Sequence, residues 1–254
     1  GDCNLCAALY DPAMTSRYHR LDRFLSNRLQ ISRSNLRLSL AAGRVQVNGQ
    51  VERDRQRRIG PFDVVVCDGE ILQANRPRYL MINKPAAVVS ATRDDHHPPV
   101  LELLPEDQRE GLHLAGRLDF NSTGLVLLTN DGAWSRRLSL PKTGLWKHYR
   151  VSVDKPLSDE DVVSFSQRMW FDFEQIYTQP ARLTIRSSFE ADVWLHEGKY
   201  HQIKRMFGRT GKKVTALHRL AVGRIQLDAY LAPGESRELT QAEQQTALDP
   251  EPVE

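Results

Sequence analysis

Cysteine is scarce in this chain: Cys3, Cys6 and Cys67 are the only ones in 254 residues. So few cannot form the disulfide framework of a small secreted domain, and a reducing, cytoplasmic compartment is expected. A structural zinc site takes four ligands, and the Cys3-x-x-Cys6 pair has no second pair to complete one, so no metal is expected. No apolar run reaches the roughly 18 residues of a membrane-crossing helix, and no basic-then-apolar leader of the signal-peptide kind is visible. Internal repeats, low-complexity tracts and a glycine-rich phosphate loop are missing as well. Nothing here asks for a nucleotide or metal cofactor, and none is expected.

What is present is enough for a real core: hydrophobic residues make up 40% of the chain. The length suits one large domain or two smaller ones. The net charge of +3 hides an asymmetry. Between Ser16 and Gly60 eleven arginines face only Asp22, Glu52 and Asp54, a local charge of 11 − 3 = +8. Gly234–Glu254 carries six acids and one arginine. A basic end on a balanced chain suits a polyanion partner, and equally a solvated charged face.

The basic segment has its own order. Leu21, Phe24, Leu25 and Leu29 recur at helical spacing. Ser32 can cap a second helix running to about Ala42, where Gly43 stops it. In "RVQVNGQV" three valines alternate around Asn48-Gly49, a strong hairpin signal, and the strand "FDVVVCDG" follows. The stretches "RLDRFLS", "SRS" and "GRVQVNGQV" resemble the S-four-type RNA-binding domain over about 50 residues. That resemblance implies a helix pair and turn presenting arginines to RNA phosphates, here Arg33, Arg37, Arg44 and Arg53.

Further on, "RYLMINKP" reads as a strand ended by Pro85, and "PLSDEDVVSFSQRM" as a helix capped by Ser158 with Asp161 at the third position. "YRVSVD", "ADVWLHEG" and "KVTALHRLAVGRIQLD" supply more strands. The expected class is α+β: a small α/β N-terminal domain, then a domain with a largely antiparallel mixed sheet flanked by helices. The expected divisions are 1–16 as an extension or artificial remnant, 17–68 as the basic domain, 69–77 as a linker, 78–243 as the second domain and 244–254 as an acidic tail.

Three places in the second domain carry possible chemistry. In "LAGRLDFNSTGLVLLTND", Asp119 sits between Leu118 and Phe120, just ahead of a strand. It reads as a turn residue, or as an acid aimed into a site. "EGKYHQIKRMF" reads as a helix with Tyr200, Ile203, Lys204 and Phe207 on one face. A lysine there snorkels to water or pairs with an acid. Arg205, Arg209 and Lys212 share another face, suited to solvent or phosphate. Tyr149, in "KHYRV", is a core aromatic or a stacking face for a base. A pairing of Asp119 with Lys204 would keep the carboxylate ionised and aimed.

Together "AGRLDFNSTGLVLLTNDG", "KHYRV", "EGKYHQIKRMF" and "VTALHRLAVGRIQLDAYLAPGESRELT" resemble the RsuA-type pseudouridine synthases, over roughly residues 17–243. The resemblance implies that Asp119 is the essential aspartate, Lys204 its basic partner and Tyr149 the aromatic residue against the base. It implies that Leu217 lines the base pocket and that Arg117 helps hold the displaced nucleotide or its phosphate; Arg205 is expected to bind substrate as well. "HQIKRMF" and the "LHR" at 217–219 look most like the enzyme acting on small-subunit (16S) ribosomal RNA. The family's glycine after Asn-Lys-Pro-x is replaced by Ala87, which makes that loop less permissive without removing a catalytic group. The implied reaction detaches uracil, rotates it and rejoins it through carbon 5, with no redox change and no donor. The expected partner is ribosomal RNA, as part of a small-subunit assembly intermediate, met by a monomer with no membrane contact. A large-subunit RNA target and a non-catalytic assembly factor are the alternatives, together with a base-excising glycosidase.

Replacing Arg33 and Arg37 is expected to weaken RNA binding and to flatten its salt dependence by about 1–2 units of log–log slope. Binding titrations across salt concentrations measure this. A slope equal to that of the unaltered protein would remove the docking role.

Overall fold

The computed structural model describes residues 18–140, 144–199 and 201–249. They form two compact units. The first holds the described residues up to Arg78 together with Asn130–Ala133, and the second holds Tyr79–Thr129 and the described residues from Trp134 onward. Cys3 and Cys6 lie outside the described residues.

In the first unit, β1 (His19–Arg20) leads into α1 (Leu21–Leu29) and α2 (Arg33–Ala41). The apolar spacing of α1 buries Leu21, Phe24 and Leu25. Ser32 Oγ accepts the Asn35 amide at 3.3 Å, which satisfies a donor that the first turn of α2 leaves open. Strands β2 (Val45–Val47) and β3 (Gln50–Val51) meet at Asn48 (φ 53°) and Gly49 (φ 82°), the two left-handed positions of a tight hairpin. After β4 (Arg58–Ile59), β5 (Val65–Cys67) pairs with β2, and β6 (Glu70–Gln73) pairs with β5. The segment 69–77, expected as a linker, therefore begins with a strand of this sheet. The side chain of Gln73 donates to the Gly60 and Asp63 carbonyls at 2.8 Å each, which ties that strand down. Leu21, Leu25, Val45, Ile59 and Val65 form the core.

The second unit is built on β7 (Tyr79–Lys84), β8 (His113–Leu114), β9 (Thr123–Thr129), β10 (Lys147–Val153), β13 (Arg182–Ser187), β14 (Glu190–Leu195), β15 (Val214–Val222), β16 (Ile225–Gln226) and β17 (Ser236–Glu238). The main path runs β13-β14-β10-β15-β9-β7-β17, with β16 on β15 and β8 on β9. Every pairing is antiparallel except that of β9 with β15. Helices α3 (Gly132–Ser139, in this unit from Trp134 on), α4 (Asp159–Ser166), α5 (Gln202–Gly208) and α6 (Gln241–Thr246), with the hairpin β11–β12 (Trp170–Phe171 and Ile176–Tyr177), complete it. This is the expected α+β class with a largely antiparallel mixed sheet.

Strand β9 is apolar along its length because both its faces are covered. Val126 and Leu128 join one core, and Leu125 and Leu127 join the other. The capping residues of α4 are as read, with Asp161 accepting the Ser158 amide at 3.0 Å. Glu243 in α6 pairs with Arg237 at 2.7 Å, and Ala247 is fully buried in the second core. Among the described residues, no helix is long and apolar enough to cross a membrane.

The parallel pairing sets Thr123 opposite His218 and Gly124 opposite Arg219. Gly124 has φ +105°, and a Cβ there would meet the Arg219 backbone, 2.7 Å from its amide nitrogen and closer still to its carbonyl oxygen. Gly124→Ala adds overpacking to backbone strain and is expected to lower unfolding free energy by about 2–4 kcal/mol. Urea titration measures it, and a shift under about 0.5 kcal/mol would mean the two strands are not held together at this point.

Candidate active site

Asp119 sits in the turn between β8 and β9, and that turn is anchored along its length. The Leu118 amide donates to Ser90 Oγ at 3.0 Å, and Arg117 Nε donates to the Ser90 carbonyl at 3.1 Å. Arg219, 3% exposed, donates through Nε to the Leu125 carbonyl at 2.9 Å and through Nη1 to the Arg117 carbonyl at 3.3 Å. The Ser122 amide closes the turn on the Asp119 carbonyl at 3.0 Å. The Phe120 carbonyl accepts both the Ala87 amide and Lys84 Nζ, each at 3.0 Å. Ala87 has φ +62°, so the position where the related family carries glycine is a left-handed one, and alanine holds it under strain.

The expected helix over 197–207 is shorter: α5 begins at Gln202, and His201 precedes it at φ 48°. Tyr200, placed by the sequence on the helix face, lies outside the described residues. The turn into α5 is held by buried Gln202, whose side chain accepts the Lys199 amide at 3.1 Å and donates to Glu197 at 2.8 Å. Ile203, Met206 and Phe207 bury the inner side of α5, and Lys204 is left facing a cavity of about 600 Å³.

That cavity brings together most of the residues singled out in the sequence. Asp119, Arg117, Lys204, Tyr149 and Leu217 all line it. Lys204 Nζ lies 4.0 Å from Asp119 Oδ2, so the two side chains face each other across 85 positions of sequence (204 − 119). His201, which sequence reasoning missed as a functional residue, is nearer: its Nε2 lies 3.6 Å from the same oxygen. Its position inside the "EGKYHQIKRMF" motif was the available signal. Tyr149 is 7% exposed; it belongs to the core and also forms part of the cavity wall. Among the described lining residues Asp119 is the one carboxylate.

Arg205, expected to bind substrate, is not among the described residues that line the cavity. Its guanidinium holds Glu174 through two contacts of 2.9 Å and lies 3.7 Å over the Phe171 ring. Hydrogen bonding to Arg205 in turn lowers the pKa of Glu174. The rest of that helix face is engaged too. Arg209 donates to the Trp170 carbonyl, and Lys212 meets fully buried Asp161 at 3.0 Å. A face expected to meet solvent or phosphate thus fastens α5 to the β11–β12 hairpin and to α4. In the first unit Arg33, Arg37, Arg44 and Arg53 are all exposed, with Arg44 Nε 3.8 Å from Asp68.

Lys84 has no exposed surface, and Nζ also donates to the Pro85 carbonyl at 2.9 Å. Burial pushes its pKa down to about 8, with the negative charge of Asp119 acting the other way.

A cleft with one carboxylate beside two basic side chains, an aromatic wall and an apolar wall defines an enzyme site, and one unlike a two-carboxylate glycosidase. The family model for RNA pseudouridylate synthase matches residues 78–209. Ribosomal small subunit pseudouridine synthase A of Pseudomonas aeruginosa is 48% identical over 225 residues, covering 88% of this chain and 98% of that one. The protein of the same name from Escherichia coli K12 is 41% identical, covering 88% and 97%. A crystal structure of a pseudouridylate synthase matches with TM-score 0.66 and 34% identity, over 90% of this chain and 99% of that one. The chain belongs to the RNA pseudouridylate synthase family and is an isomerase.

The depressed pKa of Lys84 has a testable sign. Between about 8 and the ordinary 10.5, the unfolded chain holds a proton that the folded protein releases. This group's contribution to stability therefore rises with pH across that window. The unfolding free energy of the protein relative to Lys84→Met is expected to grow as pH climbs from about 8 to 10.5. A difference that stays constant across that range would contradict the shift.

Proposed function

We propose that this protein converts one uridine of small-subunit ribosomal RNA to pseudouridine, with Asp119 as the essential group. The observation that carries the reading is the juxtaposition of Asp119 with Lys204 at 4.0 Å and His201 at 3.6 Å in the cavity bounded by Tyr149 and Leu217. The small-subunit target is supported by relatives 40–48% identical that carry that name. It is supported too by the "HQIKRMF" and "LHR" stretches. The basic unit acts as an S-four-type domain that grips RNA through Arg33, Arg37, Arg44 and Arg53. The substrate is an assembly intermediate of the small subunit, and the enzyme works as a cytoplasmic monomer.

Each cavity residue has a task in this chemistry. A base inside folded RNA must be turned out of its stack, at a few kcal/mol, before any group can reach it. Tyr149 offers its ring to the extruded uracil, and Leu217, on the neighbouring strand, adds apolar surface to the pocket. Arg117, whose Nε is already engaged by Ser90, presents the rest of its guanidinium to the nucleotide's phosphate. Asp119 acts on the ribose, as nucleophile at its anomeric carbon or as base toward a glycal, and both roles need it ionised. Lys204 supplies the opposing charge. The same carbon receives the uracil again through carbon 5, so nothing is added or removed overall.

Asp119→Asn is expected to abolish pseudouridine formation and leave RNA affinity nearly unchanged. Tritium release from carbon-5-labelled uridine reads the reaction, and filter binding reads the affinity. Turnover by the variant would sink the assignment, and free uracil in the product would indicate a glycosidase instead.

A further inference from the structure

The β11–β12 hairpin carries a feature that the cavity does not explain. Within the eight residues Trp170–Tyr177 three aromatic rings stand in solvent. Phe173, in the turn, is 92% exposed, Tyr177 48% and Trp170 37%. Apolar rings gathered in water at one place mark a binding surface. We infer that this hairpin is a stacking platform for single-stranded bases of the substrate RNA beside the target uridine, with Arg168 meeting their phosphates.

The hairpin is built to hold still. Phe171 is buried in the core, and the Arg205 guanidinium lies 3.7 Å over its ring while gripping Glu174. At the base of the hairpin the Thr178 amide donates to the Met169 carbonyl at 2.7 Å, and the Met169 amide donates to Thr178 Oγ1 at 2.8 Å. In the turn, Asp172 Oδ1 accepts Trp170 Nε1 and Gln175 Nε2, each at 3.2 Å. The Trp170 and Tyr177 rings meet edge to face with centroids 5.0 Å apart. One ring anchors the hairpin inward and three are presented outward on a fixed frame. A surface ordered in advance loses little freedom when a ligand settles on it.

The chemistry of the surface selects RNA as its occupant. Every base has a π-face, so aromatic rings bind single strands without reading their sequence. Arg168 is exposed and lies 5.0 Å over the Tyr177 ring, which puts a cation on the platform itself. Arginine both stacks on rings and holds phosphate. Charge agrees: Arg168, Arg205 and Arg209 stand against Asp172 and Glu174, an excess of 3 − 2 = +1 that suits a polyanion.

Place agrees as well. Arg205 holds the hairpin, and the residue before it, Lys204, faces the cavity. The platform therefore lies across α5 from the cleft, and a helix with its side chains is about 10 Å wide. A few nucleotides of extended strand cover that distance. A uridine turned out of its stack leaves its neighbours without a partner, and rings that receive those neighbours offset part of the cost.

This inference rests on the pseudouridine reading and is separable from it. Phe173→Ser combined with Tyr177→Ser removes two rings from exposed positions. On small-subunit particles assembled with carbon-5-tritiated RNA, the pair is expected to raise KM about tenfold or more, with kcat carrying little of the loss. Phe173→Trp with Tyr177→Phe keeps the rings and should restore KM, which separates stacking from a folding defect. Arg168→Gln should lower the log–log salt slope of binding by about 1, while the serine pair leaves that slope as it was. Phe173→p-benzoylphenylalanine, irradiated with the same particles, should crosslink to RNA within a few nucleotides of the modified uridine. An unchanged KM in the serine pair, a loss confined to kcat, or crosslinks remote from that uridine would overturn the platform. So would unchanged RNA binding together with an altered oligomeric state, which would assign the rings to a second copy of the chain. If Asp119→Asn is inactive while these results fail, only the platform is dismissed. If Asp119→Asn turns over, the catalytic reading falls, and filter binding by the serine pair still decides the platform.

Discussion

A carboxylate drawn partly out of water has to be held still and given opposite charge. Asp119 meets both conditions, and much of the second unit can be traced to them. Its side chain is 30% exposed, with Lys204 at 4.0 Å and His201 at 3.6 Å. At such distances opposite charges favour one another, the more so where apolar walls exclude solvent. Stillness comes from the backbone. The carbonyls of Arg117, Asp119 and Phe120 and the amide of Leu118 all have defined partners, from the turn itself, from the stretch Lys84–Ser90 and from Arg219.

The sheet provides those parts. Pairing of β9 with β15 at Gly124 and Arg219 brings the end of the Asp119 turn against the strand that carries Leu217. Strand β10, next to β15, sets Tyr149 opposite Arg219. Helix α5 is fastened on its far side by Arg205 to Glu174 and, just beyond its end, by Lys212 to Asp161, which leaves Lys204 directed to the cleft. Lys212 and Asp161 are almost wholly buried, so losing either would leave a charge stranded in the interior. The site is thus an anchored turn set between strands and a short helix, which hold atoms more closely than free loops do.

Much of this was legible in the sequence because it is written as periodicity. The valines around Asn48-Gly49, the continuous apolar run of β9 and the Ser158 cap each follow local rules, and each element formed where those rules put it. Asp119, Lys204, Tyr149, Leu217 and Arg117 were read from motif resemblance, and they converge on one cavity. What could not be read was the anchoring. Ser90, Lys84 and Arg219 act on backbone groups through side chains far away in sequence, and such contacts leave no pattern along the chain. The contact of Arg205 with Glu174, on the hairpin lying against its helix face, leaves no such pattern either. Ala87 is the opposite case: the sequence marked a departure at one residue, and the left-handed backbone there gives it a physical meaning.

The central claim is that this chain makes pseudouridine in small-subunit ribosomal RNA. The most direct measurement is a map of pseudouridine across ribosomal RNA from cells lacking the protein, beside the same map from cells that contain it. The account predicts that one pseudouridine disappears from the small-subunit RNA and that large-subunit sites are untouched. An unchanged small-subunit map, or a loss confined to large-subunit RNA, would contradict it.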